Sequence, residues 1–149
     1  MTQDQTLRQH WISVMAKSNA ELFLDLSSEY IAGQDFETIR APEVGLTQVR
    51  GRMGGTGSQF NVGDMTITRC VVQSTKGHYG YSYIKGRNKD HAYRAAQLDA
   101  LLQDDEHQSA TLASLIQPLE ATLAENAAAK ANEVAQTKVD FFTLVRGED

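Results

Sequence analysis

The sequence predicts an α+β domain: N-terminal helices, an antiparallel sheet of about four strands, then C-terminal helices with an extended terminal arm. Three observations predict it. Apolar residues recur at helical spacing near the start (Leu7, Trp11, Val14, Met15) and after the middle (Ala92, Ala95, Ala96, Leu98, Leu101, Leu102). Between them the period drops to two, with Met65, Ile67, Arg69 and Val71 alternating with Thr66, Thr68, Cys70 and Val72. Turn and cap residues stand where the period changes: Gly33, Thr75-Lys76-Gly77-His78 and Gly86-Arg87-Asn88.

The first helix spans about Thr6–Lys17. Ser18 with Glu21 has capping-box spacing and opens a second helix, Ala20–Ala32, with Leu22, Leu26 and Tyr30 as its apolar stripe and Gly33 as a left-handed C-terminal cap. Phe36–Arg40 is a short strand ended by Pro42, and Leu46–Met53 is a second, in which Gly51 hints at a bulge. Met65–Ser74 is the clearest strand. After a turn, Tyr79–Lys85 returns with Tyr79, Tyr81 and Tyr83 on one face, which reads as an aromatic core face more readily than as a base-stacking platform. Asn88 caps a helix reaching about Gln103; Asp104-Asp105-Glu106 is a solvated break; Ser109–Ile116 is a short helix. Pro118 suits the first turn of a last, alanine-rich helix to about Lys138, followed by the tail that holds Val139, Phe141, Phe142, Leu144 and Val145.

A length of 149 residues fits one domain, 1–149, within which 126–149 reads as a partner-binding arm. Residues 126–138 carry little apolar surface, whereas two phenylalanines in an uncovered tail would invite aggregation. The formal charge of −5 argues against a nucleic-acid binder. It is unevenly placed: Arg40–Arg94 holds nine basic and three acidic residues, so a basic middle lies between acidic ends. That pattern suits an anion site, an acidic partner, or acidic helices folded over a basic sheet. The single cysteine, Cys70, excludes an internal disulfide and fits a reducing compartment. The polar start and the lack of a spanning apolar run point to a cytoplasmic protein without membrane contact.

Arg50–Cys70 carries five glycines and three arginines between β-prone runs. Such a stretch is either a wide hairpin loop or a loop that meets an anionic ligand or a partner, since glycine permits close approach and arginine presents a planar fork to carboxylate or phosphate. Gly55-Thr56-Gly57-Ser58-Gln59-Phe60 lacks the third glycine and the following helix of a dinucleotide fingerprint. Neither Gly-Lys-Ser/Thr nor His-Glu-x-x-His occurs, no metal site is expected, and one cysteine cannot hold an iron–sulfur cluster. His10 and His107 read as surface residues, and His78 lies in a turn. His91, near Arg87 and Asp90, suits either an anion or partner site or a capping role. Cys70 reads as a buried small hydrophobe. No complete catalytic constellation appears, so the catalytic residues stay unassigned.

One stretch resembles a known family closely: Arg52-Met53-Gly54-Gly55-Thr56-Gly57 followed by Phe60-Asn61-Val62-Gly63-Asp64-Met65-Thr66-Ile67-Thr68-Arg69-Cys70. Together with Arg8-Gln9-His10-Trp11, Gly86-Arg87, Asp90-His91-Ala92 and the segment Val139–Gly147, it resembles the PhnG subunit of the bacterial carbon–phosphorus lyase system, in order and across nearly the whole chain. Asp64 stands where the family usually has a larger acid.

The resemblance implies a part in phosphonate breakdown. PhnG-like proteins act with PhnH-like, PhnI-like, PhnJ-like and PhnL-like subunits. The synthase step moves ribose 5-triphosphate from ATP to an alkylphosphonate and releases adenine. The nucleosidase-type chemistry is usually assigned to the PhnI-like subunit. On this reading ATP and alkylphosphonate are substrates of the complex, and the chain binds no cofactor alone. It is then an obligatory structural partner in a transferase. The alternative is direct triphosphate or phosphonate binding through the glycine loop. The residues that would meet an anion or partner are Arg52, Gly54, Gly55, Thr56, Gly57, Arg69, Arg87 and His91. The arm residues 139–145 would anchor on a PhnI-like subunit or, by self-association, on a second copy.

Overall fold

A computed structural model describes the backbone of residues 3–52 and 59–148, and the side chains of 5–48 and 63–133. Two helices open the chain, α1 (Gln3–Lys17) and α2 (Ala20–Ile31). Three strands follow, β1 (Phe36–Arg52), β2 (Gln59–Ser74) and β3 (Tyr79–Lys85). Then come α3 (Lys89–Leu102), α4 (Asp105–Thr111), a π-helical turn (Leu112–Ile116) and α5 (Gln117–Glu148). The strands form one antiparallel sheet in the order β1-β2-β3. Among the described residues no helix is long and apolar enough to cross a membrane.

The α+β class is as the sequence predicts, with three strands in place of about four. Phe36–Arg40 and the described part of Leu46–Met53, which reaches Arg52, belong to one strand, because Pro42 does not end it. Register shifts between Thr38 and Arg40, and between Arg40 and Glu43, let β1 bulge past the proline. A proline's missing N–H is tolerated on such an edge strand. The capping box also resolves differently. Asn19, not Ser18, caps α2, its side chain accepting from the Leu22 N–H at 3.1 Å, while Ser18 Oγ donates back to the Val14 carbonyl at 2.6 Å. Of the expected α2 stripe, Leu22 and Tyr30 pack against the core, but Leu26 is exposed and the fully buried positions are Phe23 and Ser27. Gly33 does take the left-handed conformation, at φ 78°.

The core lies between the sheet and α3, closed by α1, α2 and the π-helical turn; Trp11, Met15, Phe23, Val72, Leu98, Leu102 and Leu115 are among its members. Every apolar α3 position anticipated from the sequence is buried. One expectation on β3 is overturned. Gly80, Ser82 and Ile84 face the helices, whereas Tyr79, Tyr81 and Tyr83 are 45%, 43% and 59% exposed on the opposite face. The reason is steric: α3 approaches β3 at Gly80 so closely that no aromatic side chain fits between them there. The last helix also differs, since the arm continues α5 to Glu148 instead of leaving the helix near Lys138.

Candidate ligand and partner site

The described flanks of the glycine-rich stretch, up to Arg52 and from Gln59, lie in the paired strands β1 and β2. The two strands pair out to Arg52 opposite Gln59, so the stretch does join two strands. Gly54, Gly55, Thr56 and Gly57 lie outside the described residues, and only the backbone of Arg52 is described. β3 pairs with β2 from Gln73 only as far as Ile67. From Thr66 to Gln59 the hairpin therefore continues as a two-stranded ribbon, about 23 Å long at roughly 3.3 Å per residue. Leu46, opposite Thr66, is 71% exposed.

The other candidates separate by environment. Arg69 pairs with Tyr83 and with Glu43 on the exposed sheet face. Its guanidinium lies 3.6 Å from a Glu43 carboxylate oxygen, and its buried Nε has no hydrogen-bond partner. Arg87 is exposed in the turn before α3. That turn is fastened at the ribbon's root, where the Gly86 N–H donates to the Thr66 carbonyl at 2.9 Å and Thr68 Oγ1 donates to the Gly86 carbonyl at 2.8 Å.

His91 is in the core, not on a surface that an anion could reach. It is 3% exposed, and its ring lies 5.0 Å from that of Phe23. Nε2 is 2.8 Å from the Met15 carbonyl oxygen. A carbonyl only accepts, so the neutral ring carries its proton on Nε2. Burial lowers the imidazole pKa, with the bond to Met15 acting in the opposite direction. The adjacent cap is as the sequence suggests: Asn88 Oδ1 accepts from the His91 N–H at 3.0 Å.

Sequence reasoning missed the most connected polar group, Asp99, which sits among the apolar positions of α3 and is fully buried. Arg8 grips it through Nε (3.2 Å) and Nη2 (2.8 Å), Trp11 Nε1 donates at 2.9 Å, and the Tyr81 N–H donates at 2.9 Å. Gln103, one turn on, donates to the Tyr79 carbonyl at 2.6 Å. Asp99 and Gln103 thus occupy the outer edge of β3, where exposed strand groups would otherwise invite pairing with another chain. The signal in the sequence was an acid on the buried stripe of a helix, with Arg8 and Trp11 one turn apart on another.

Other reactive groups are also engaged in the fold. Arg94 ties α3 to α2 through the Leu24 carbonyl (3.1 Å) and Ser27 Oγ (3.0 Å). Burial pushes the Cys70 thiol up to about 11, which leaves it protonated near neutrality and agrees with its reading as a small hydrophobe. Asp104, Glu106 and His107 present ligand atoms within 4.8 Å of one another. The Lys76 ammonium already lies 2.6 and 2.8 Å from the two carboxylates, where a metal ion would have to sit.

Comparison with known proteins places these features in a family. Residues 6–147 match the family model described as phosphonate metabolism protein PhnG. The chain is also similar to the alpha-D-ribose 1-methylphosphonate 5-triphosphate synthase subunit PhnG of Rhizobium meliloti (strain 1021). The two are 43% identical over 111 residues, covering 74% of this chain and 70% of the relative.

Proposed function

The chain belongs to the PhnG family of phosphonate metabolism proteins, and from that membership we propose that it is a non-autonomous subunit of a ribose 1-methylphosphonate 5-triphosphate synthase complex. The complex transfers ribose 5-triphosphate from ATP to an alkylphosphonate and releases adenine. This chain acts mainly by holding a PhnI-like catalytic subunit, alongside PhnH-like, PhnJ-like and PhnL-like partners. The observation that carries the reading is the 43% identity to a protein named as a subunit of that synthase.

The chemistry of the described residues supports a structural part. Displacing adenine needs an activated nucleophile and help for the leaving group. His91 bonds a backbone carbonyl inside the core, Asp99 is held by four donated hydrogen bonds, and the Cys70 thiol is buried. Each of these groups serves packing.

The test is adenine release from ATP. Purified chain alone should give none, and release should require the other subunits. Turnover by the chain alone, abolished by one substitution in it, would overturn the proposal. Calorimetric titration of the isolated chain with ATP and with methylphosphonate separates the structural role from direct anion binding at the glycine loop, because only the latter gives heat of binding.

A further inference from the structure

All the helices that close the core lie on one side of the sheet, and α5 packs on α1 and the π-helical turn in that same layer. The other side carries Tyr79, Tyr81 and Tyr83 of β3 beside Val71 and Ile67 of β2, with Met65 next on the same face of β2 where it pairs with Thr47 of β1. We propose that this uncovered face, prolonged by the β1–β2 ribbon, is where the chain docks on a different subunit of the synthase, one presenting apolar side chains ringed by carboxylates. The inference rests on the subunit reading above and adds the surface and the chemistry of the occupant.

Two features argue that something covers the face. Tyrosine, methionine and arginine are the residue types enriched in protein interfaces and their energetic centres. An isolated two-stranded ribbon is at best marginally stable in water, and this one projects beyond the end of β3.

The charge decides what covers it. Arg40, Arg69 and Lys85 stand on the face with Glu37 and Glu43, and Glu43 is already turned toward Arg69. A two-fold contact between copies would set this net positive patch against itself, and like charges across an interface are penalised. A different chain supplying carboxylates would meet Arg40 and Lys85 and complete the weak pairing of Arg69. Single-stranded nucleic acid would use the same tyrosines for stacking, but the chain's net charge of −5 opposes a phosphate backbone.

The test uses the full chain produced together with the other synthase subunits. An Ile67→Glu, Tyr83→Glu double variant should keep the melting temperature of the isolated chain and lose association by about a hundredfold or more. Leu26→Glu, a control on exposed α2 surface, should assemble normally. Should the double variant misfold, Arg40→Glu with Lys85→Glu replaces it. These are solvated charges, and their reversal should weaken assembly in a salt-dependent way. Normal assembly of folded face variants overturns the proposal and leaves the subunit reading intact. So does a loss confined to self-association or to binding of a single-stranded oligonucleotide. Failure of the unaltered chain to associate with any synthase subunit overturns the subunit reading itself.

Discussion

A β-carbon added to Gly80 would lie 1.9 Å from the carbonyl oxygen of Ala96. It would also lie 2.8 Å from the Ala100 backbone nitrogen, so backbone meets backbone where β3 crosses α3. Ala92, Ala95, Ala96 and Ala100 complete a seam of small residues along that helix. The seam lets α3 sit tightly on one sheet face and leaves the tyrosines on the other. Gly80→Ala should therefore destabilise the chain by about 3 kcal/mol, at the upper end for overpacking, because neither neighbouring backbone can rotate aside. Urea unfolding at unchanged slope checks this, and a loss below about 0.5 kcal/mol would show that the seam has slack.

Asp99 gives the second prediction. Asp99→Ala strands the Arg8 guanidinium, the Trp11 N–H and the Tyr81 N–H at once. Arg8 keeps a third of its side chain in water, so the loss falls mainly on the two buried donors and is about 1–3 kcal/mol for each left unpaired. Trp11 is the only tryptophan, so its fluorescence reports the site directly. The expected result is a red-shifted native emission with faster hydrogen exchange at the Tyr81 amide. A variant within about 1 kcal/mol of the parent, with unchanged emission, would show that water replaces the carboxylate without loss.

What could be read in the sequence was whatever depends on local pattern. The α3 stripe, the Asn88 cap, the Gly33 turn and the pairing of Met65–Ser74 with Tyr79–Lys85 follow from spacing and turn chemistry. The misses depend on which partner an element meets. Alternation on β3 showed two faces but could not say which one the helices cover. That was decided by Gly80 and Ser82, because a closely packed helix selects small residues over aromatic ones. Pro42 read as a strand end because the bulges that admit it come from pairing with β2. His91 read as a site candidate because its sequence neighbours are polar, while its spatial neighbours are Met15 and Phe23.

His91 also makes stability depend on pH. Its folded-state pKa is lowered by burial, so as the pH falls the unfolded chain takes up the proton first. Above the ordinary value of 6.5 the ring is neutral in both states and contributes nothing to the pH dependence. Below 6.5 the folded state loses stability, by up to about 1.4 kcal/mol per pH unit, until the depressed folded pKa is passed. Melting curves from pH 8 to pH 5.5 should show this loss in the parent and a shallower one in His91→Gln. The carboxylates Asp104 and Glu106, held below their ordinary values chiefly by Lys76, titrate lower and are common to both proteins. Equal slopes in the two would assign the acid sensitivity to another group.

The final prediction concerns α5. Leu119 is buried and Leu123 packs against the core, but every residue from Ala124 to Glu133 is exposed. A helix that is solvated all round gains nothing from the domain beneath it, and α5 nevertheless continues to Glu148. At about 1.5 Å per residue its 32 residues span roughly 48 Å. Val139, Phe141, Phe142, Leu144 and Val145 follow the exposed segment in sequence, and burying one phenylalanine is worth roughly 1.5–3 kcal/mol. Those residues need a surface, and we predict that another chain supplies it, either a PhnI-like subunit or a second copy. Deleting residues 139–149 should leave the melting temperature of the isolated chain unchanged and abolish its association with that partner. A truncated chain that melts lower as a monomer would mean the end folds back on its own domain, and one that assembles at parental levels would leave the arm without a binding role.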